Sequence, residues 1–351
     1  MTAYFLPAFD ASVFSFHTYS GCTAPGPVLV SRPKPTTMFR KILKWTGLII
    51  LFLITGVSIT AMCRQHLKYE RPLPDIKAST DTSVIARGRH IVLGPGHCVD
   101  CHSKTKNVDS LLKIGQEPAL IGGNTFDLPF GKFYTRNLTP DPETGIGKMT
   151  DGEIAQVLRY SVKKNGESVL PFMPFQNLSD EDLTAVISYL RSLKPVRNPV
   201  PDHEYNIMGR LIKAFLIRPA GPTEEIKTAV WRDTTANYGR HLVMAVANCN
   251  ECHTKRDGIG NYVGKPLAGG TVFKEEGKPT LVTPNLTPDP TGRLFGWTQE
   301  MFINRFRQGK LIPHSHMPWE SYGRMTDDEL KAIFNYLRSV EPVKTEPQEA
   351  E

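Results

Sequence analysis

Two five-residue stretches hold the residue types best suited to chemistry. Cys98-Val99-Asp100-Cys101-His102 and Cys249-Asn250-Glu251-Cys252-His253 both read C-x-x-C-H. That spacing is the attachment sequence of c-type haem: two thiols form thioethers with the haem vinyl groups, and the adjoining histidine becomes the proximal iron ligand. Cys98, Cys101, Cys249 and Cys252 are the candidate covalent anchors, and His102 and His253 the candidate axial ligands, for two haem c groups with their iron. A zinc site would need two further ligands beside each pair, and the only other cysteines are Cys22 and Cys63. A redox dithiol would need a βαβ context, which the pattern lacks.

A low-spin haem needs a sixth ligand, usually Met or His. Met173 stands in Leu-Pro-Phe-Met-Pro-Phe and Met317 in His-Ser-His-Met-Pro-Trp. In both, the following proline fixes φ and removes a backbone donor, which stiffens the loop where a thioether must reach iron. Met173 and Met317 are the candidate sixth ligands, with His314 and His316 as rivals to Met317. Arg136 is a candidate contact for a haem propionate. Gly122-Gly123 and Gly269-Gly270 either let backbone approach the haem edge or simply make turns. Asn137 and Asn285 read as loop organisers.

These positions recur because the chain repeats itself, with an offset of about 147 residues. Ala86–His90 is echoed by Asn237–His241, Asn137–Pro142 by Asn285–Pro290, Met173-Pro174 by Met317-Pro318, and Tyr189–Ser192 by Tyr336–Ser339. The order of the blocks is constant, so two tandem domains are expected, 80–197 and 229–345. The Pro-rich linker 198–228 brackets an apolar segment, Ile207 to Ile217, that reads as a short helix packed on one domain.

The elements that must position these residues read as helices. Ser179-Asp180-Glu181-Asp182 and Thr326-Asp327-Asp328-Glu329 are capping-box signals, the second better formed. Each precedes apolar residues at i, i+3, i+4 and i+7: Leu183, Val186, Ile187, Leu190, and Leu330, Ile333, Phe334, Leu337. Further helices are expected after Thr150 and Thr298, and through Val84–Val92 and Ala236–Ala247. No segment alternates convincingly as a strand, so the expected class is mainly α.

The 351 residues carry 40% hydrophobic and 22% charged residues, with a mean hydropathy of −0.27. That composition excludes wholesale disorder and a polytopic membrane protein, and six cysteines are too few for a disulfide scaffold. The net charge of +7 comes without a nucleic-acid motif. Residues 1–63 hold five cations against one acid, so the remaining 288 residues carry only +3. Those cations precede Trp45 to Cys63, an uncharged run of 19 residues, close to the ~20 needed to cross a bilayer. Arg40, Lys41 and Lys44 place the N-terminus in the cytoplasm by the positive-inside rule. A single-pass anchor over 41–63 is expected, in a bacterial inner membrane, with everything after it on the periplasmic side. A cleaved signal peptide is the rival reading, and it exports the same residues. Residues 1–40 read as a disordered leader. Met38, which opens MFRKILKW, is an alternative translation start.

Each repeat resembles the class I-like cytochrome c domain of the cytochrome subunits of membrane-bound alcohol, aldehyde and gluconate dehydrogenases. The residues that carry the resemblance are G-R-H before C-x-x-C-H, the Gly-Gly pair, N-L-T-P-D-P-E-T-G-I-G (Asn137 to Gly147), P-F-M-P-F, and the D-E-D-L…Y-L-R-S-L-K-P-V tail. It covers about 84–197 and 236–343. The resemblance implies His102/Met173 and His253/Met317 ligation, and electron transfer from a dehydrogenase subunit or a quinol towards a terminal oxidase. Those subunits commonly carry three haem domains, whereas this chain has two, which leaves a free-standing membrane-anchored dihaem cytochrome open. The expectation is a non-enzymatic electron carrier. The competing expectation is a dihaem enzyme, peroxidase-like or a sulfur-compound oxidase, with one displaceable axial ligand and an acid/base group such as His316.

Overall fold

The computed structural model describes residues 37–346 apart from Lys106, Pro171, Ile259 and Glu276. The leader expected over 1–40 and Cys22 therefore lie almost wholly outside the described residues. The chain divides into two compact units, Met1–Gly56 and Val57–Glu351.

The first unit contributes most of α1 (Thr37–Arg64), which begins inside the stretch expected as leader. Met38–Arg64 is long and apolar enough to cross a membrane, with a mean hydropathy of 2.2. Its apolar residues are exposed almost throughout, Ala61 excepted.

The second unit is mostly helical and contains both repeats. In chain order the first repeat has α2 (Thr82–Leu93), α3 (Cys98–His102), α4 (Val108–Lys113), β1 (Thr125–Leu128), β2 (Gly131–Tyr134), α5 (Asp151–Tyr160) and α6 (Asp180–Ser192). The linker adds β3 (Glu204–Tyr205) and α7 (Ile207–Phe215). The second repeat has α8 (Ala236–His241), running into a π-helical turn at Leu242–Val246, then α9 (Cys249–His253), β4 (Val272–Phe273), β5 (Leu281–Val282), α10 (Gln299–Arg307), α11 (Trp319–Tyr322) and α12 (Asp327–Ser339).

The expected helices form where their signals lie. Thr150 and Glu153 make a complete capping box on α5, and Thr326 and Glu329 make one on α12. Ser179 caps α6 through the amide of Asp182, but the Asp182 carboxylate turns away to other partners, so the box is half-formed. The strands depart from the helical expectation. β1 and β2 pair as an antiparallel hairpin, β3 adds to its edge, and β4 pairs with β5. Each is at most four residues long, and β1 is exposed over its first three positions, so no apolar alternation marks it.

In each repeat the first and last helices cross at a glycine. A Cβ on Gly88 would lie 1.8 Å from Ala185 O, and one on Gly239 would lie 1.9 Å from Ala332 O. Only glycine lets α2 sit on α6, and α8 on α12, at this distance. The apolar residues of both repeats form one continuous core, which includes Ile91, Leu183, Ile187, Leu242, Leu330 and Leu337.

The repeats join through a buried, cross-paired charge network. His90 Nε2 meets Glu329 Oε2 at 2.7 Å, and His241 Nε2 meets Asp182 Oδ2 at 2.7 Å. Each G-R-H histidine thus pairs with the carboxylate at the third position of the other repeat's last helix. Arg87 donates to both acids, at 2.9 Å to Asp182 and 3.1 Å to Glu329. Its counterpart Tyr238 donates to Glu329 at 3.2 Å. Burial raises the pKa of Asp182, but the hydrogen bond to His241 and the Arg87 charge outweigh it and hold the carboxyl below its ordinary range. Burial likewise opposes ionisation of Glu329, yet His90 and Arg87 hold it down at about 2.

Candidate haem-attachment sites

Both C-x-x-C-H stretches fold as single helical turns, α3 and α9. Each starts from a residue in the left-handed region, His97 at φ 40° and Asn248 at φ 53°. That reversal directly precedes each motif and turns the chain into the short helix that carries the two cysteines and the histidine.

The histidines are oriented by backbone. His102 Nδ1 lies 2.7 Å from Arg136 O, and His253 Nδ1 lies 2.9 Å from Pro284 O. A carbonyl only accepts, so Nδ1–H donates and Nε2 keeps its lone pair for a metal. Burial lowers both imidazole pKa values, more than the carbonyl bonds raise them, which keeps the rings neutral as ligation requires.

The glycine pairs make this geometry possible. Gly122 (φ 65°) donates its N–H to His102 O at 2.8 Å, and Gly269 (φ 72°) donates to His253 O at 2.7 Å. A Cβ on Gly122 would lie 2.4 Å from Thr135 O and Arg136 O, and one on Gly269 would lie 2.4 Å from Thr283 O. The glycines therefore admit the backbone at or beside the carbonyls that hold the rings. What crowds them is the chain's own backbone.

The thiols suit thioether formation. Burial pushes Cys98 and Cys249 up to about 12, with the neighbouring Cys101 and Cys252 adding to it. An uncharged thioether is at home in such a buried position. Among the described residues no group of three or more His, Cys, Asp or Glu is placed to hold a bare metal ion. Cys98, Cys249, Met173 and Met317 all lie half-buried against the continuous core. The residues present fit a covalently attached haem in each repeat.

Other expected residues have other partners. Arg136 donates to Val200 O, Pro201 O and Asp202, pinning the linker. Asn137 accepts from Thr139 N–H at 3.0 Å and donates to Val196 O at 2.9 Å. Asn285 repeats this with Thr287 and Val343. His316 stacks on Phe273 and pairs with Glu275 at 2.9 Å.

The sequence reading missed a bridge between the repeats. Ser321 Oγ donates to Asp100 at 2.7 Å, and Arg324 donates to Leu93 O and Asp109 at 2.6 Å each. Tyr322 meets the His97 ring edge-on, 5.7 Å between centroids, and donates to Ala247 O. The segment just after Met317 thus touches the attachment turn of the first repeat. The cross-paired histidines and carboxylates were missed too, although both recur in register in the repeat.

Comparison with known proteins finds cytochromes. Residues 234–337 match the family described as cytochrome C oxidase, cbb3-type, subunit III. The chain carries a cytochrome c domain. Such a domain holds covalently bound haem c with its iron. The cytochrome c subunit of the quinone alcohol dehydrogenase of Komagataeibacter europaeus is 30% identical over 280 residues, 75% of this chain and 57% of that protein. The fructose dehydrogenase cytochrome subunit of Gluconobacter japonicus is 27% identical over 86% of this chain and 60% of that protein. A diheme cytochrome c-type protein of Cereibacter sphaeroides is 25% identical, over 75% of this chain and 88% of that protein. The chain spans a little under 60% of the alcohol dehydrogenase subunits it matches. Of the three relatives, two are cytochrome subunits of dehydrogenases by name, and the third is a diheme cytochrome c.

Proposed function

We propose that the chain is a membrane-anchored, periplasmic dihaem cytochrome c of two tandem domains, 80–197 and 229–345. It carries electrons between a dehydrogenase or quinol donor and a terminal acceptor such as an oxidase. One observation carries the reading: two C-x-x-C-H turns, each with its histidine Nδ1 held by a backbone carbonyl across a left-handed glycine. Haem iron, when bound, supplies reversible one-electron exchange between Fe(II) and Fe(III).

The protein's own residues hold and shield the two groups. Cys98 and Cys101 anchor one, and Cys249 and Cys252 the other. His102 and His253 provide the proximal nitrogens, and Met173 and Met317 the sixth ligands from proline-stiffened loops. The Ser321–Asp100 and Arg324–Asp109 bonds keep the second methionine segment against the first attachment turn. Helix α1, with cations at its N-terminal end, supports a single-pass anchor with both repeats outside the cytoplasm.

The enzyme alternative needs an open iron position with a free acid/base group. His316 is the nearest candidate in sequence, and its stacking on Phe273 and pairing with Glu275 favour the carrier. Exposure of the native holoprotein to carbon monoxide and to peroxide tests this. The carrier predicts neither spectral conversion by carbon monoxide nor rapid peroxide turnover without a partner. Either response would overturn it.

A further inference from the structure

Helix α7 presents its apolar side outward. Ile207 is 81% exposed, Met208 56%, Leu211 39% and Phe215 37%. At about 100° per residue these four, with half-buried Ile212, fill an arc of about 140°. The helix is nevertheless firmly seated by its other side. A Cβ on Gly209 would lie 2.1 Å from Phe130 O, the tip of the β1–β2 hairpin. Asn206 caps the helix through Gly209 N–H at 3.0 Å and donates to Pro129 O at 2.9 Å. So a fixed support displays the apolar face, which is exposed among the described residues.

The neighbour of α7 says what covers it. Arg64, the last residue of α1, donates to Ala214 O at 3.2 Å and stands 5.8 Å from the Phe215 ring centroid. The outward face therefore begins where the apolar helix ends. Beside it stand the cations Arg64, Arg210 and Arg218, while Lys213 lies on the supporting side. Lys213 lies over the Tyr205 ring, and Arg218 meets Tyr69 Oη at 3.4 Å. An amphipathic helix with cations on its flanks, beside the exit of a membrane span, has the properties of one lying in the membrane–water boundary.

We infer that α7 is a second membrane contact: its Ile207, Met208, Leu211 and Phe215 face enters the headgroup boundary of the membrane that α1 crosses, with Arg64, Arg210 and Arg218 meeting lipid phosphates. This rests on the reading of α1 as a span. It has a consequence for the first repeat. The hairpin that seats α7 also carries Phe133, whose ring meets Phe172, next to Met173, at 6.3 Å between centroids. The methionine side of the first repeat is thereby held towards the lipid, and the repeat does not tumble freely on a tether.

The test uses the full chain with Cys22→Ser and Cys63→Ser, reconstituted into protein-free vesicles of phosphatidylcholine and phosphatidylglycerol. Lipid is in sufficient excess that each vesicle holds at most one chain. Single cysteines replace Ile207 or Leu211, with Ile114→Cys and Val263→Cys as water-facing controls, one in each repeat. Modification by a charged, membrane-impermeant maleimide is followed peptide by peptide. Burial about 5–10 Å into the boundary predicts reaction at 207 and 211 about tenfold or more slower than at the controls. Equal rates at all four positions would overturn the proposal and leave the face to a protein partner. Flotation with the vesicles reads insertion of α1 separately. Haem content, and modification at Cys98, Cys101, Cys249 or Cys252, reads the haem assignment separately.

Discussion

The loops behind His102 and His253 share their bonding, whereas the segments that carry Met173 and Met317 differ in their neighbours. On the histidine side the bonds that both repeats share are to backbone: a carbonyl to Nδ1, and a left-handed glycine donating back to the histidine carbonyl. On the methionine side the contacts that differ between the repeats are between side chains. Phe172 packs edge-on to Phe133 in the first repeat. In the second, His316 stacks on Phe273, Trp319 packs on Phe306 and lies under Arg305. Backbone geometry survives side-chain divergence, so the attachment side is common to both repeats. The methionine side is free to diverge, and it is where the two proposed haems would be tuned apart.

The largest effect expected from breaking this likeness is loss of one haem. Cys98→Ala with Cys101→Ala, or Cys249→Ala with Cys252→Ala, should each halve the c-type haem per chain in a pyridine haemochrome assay. Next comes the packing that both repeats share. Gly88→Ala and Gly239→Ala force a methyl into a backbone carbonyl. Each should cost about 3 kcal/mol or more in denaturant melts, at the upper end of overpacking penalties. A much smaller loss in one of the two would show that its helix crossing can relax.

The cross-paired network sharpens the comparison further, because its two halves are unequally buried. The side chain of His241 is 5% exposed and that of His90 is 27% exposed. Removing one partner of a buried pair costs about 3–5 kcal/mol. His241→Ala should therefore approach that range and His90→Ala should fall well short of it. Asp182 and Glu329 are ionised in the fold with depressed pKa values. Their contribution is complete above the unfolded carboxyl values of about 4 and is lost as pH falls from there, through about 2 for Glu329 and lower for Asp182. The melting temperature should therefore drop steeply below about pH 4, and Glu329→Gln should flatten that drop. The smallest effect belongs to His316→Ala, a half-exposed pair worth less than about 1 kcal/mol.

Much of this could be read from the residues alone. The attachment turns, the α6 and α12 caps and the α7 segment all carry strong local signals, namely cysteine spacing, a Ser or Thr followed by acids, and an apolar period. The β1–β2 hairpin was hidden because a four-residue, largely exposed strand leaves no alternation to detect. The half-formed box at Ser179 has a tertiary cause, since Asp182 is drawn to Arg87 and His241. The role of the glycine pairs stayed open for a similar reason. The carbonyls they admit lie 13 or more positions further along the chain, and only the fold brings them near. The bridge from Ser321 and Arg324 to the first attachment turn spans more than 200 positions and has no counterpart in the other repeat that would have marked it.

The central claim is that each repeat binds a haem between its C-x-x-C-H histidine and its Met-Pro methionine. The oxidised holoprotein should show the weak far-red band of methionine-ligated Fe(III). Met173→Ala and Met317→Ala should each remove about half of it and leave two covalent haems in place. If neither substitution changes the band, the sixth ligands lie elsewhere and the account of the methionine loops is wrong.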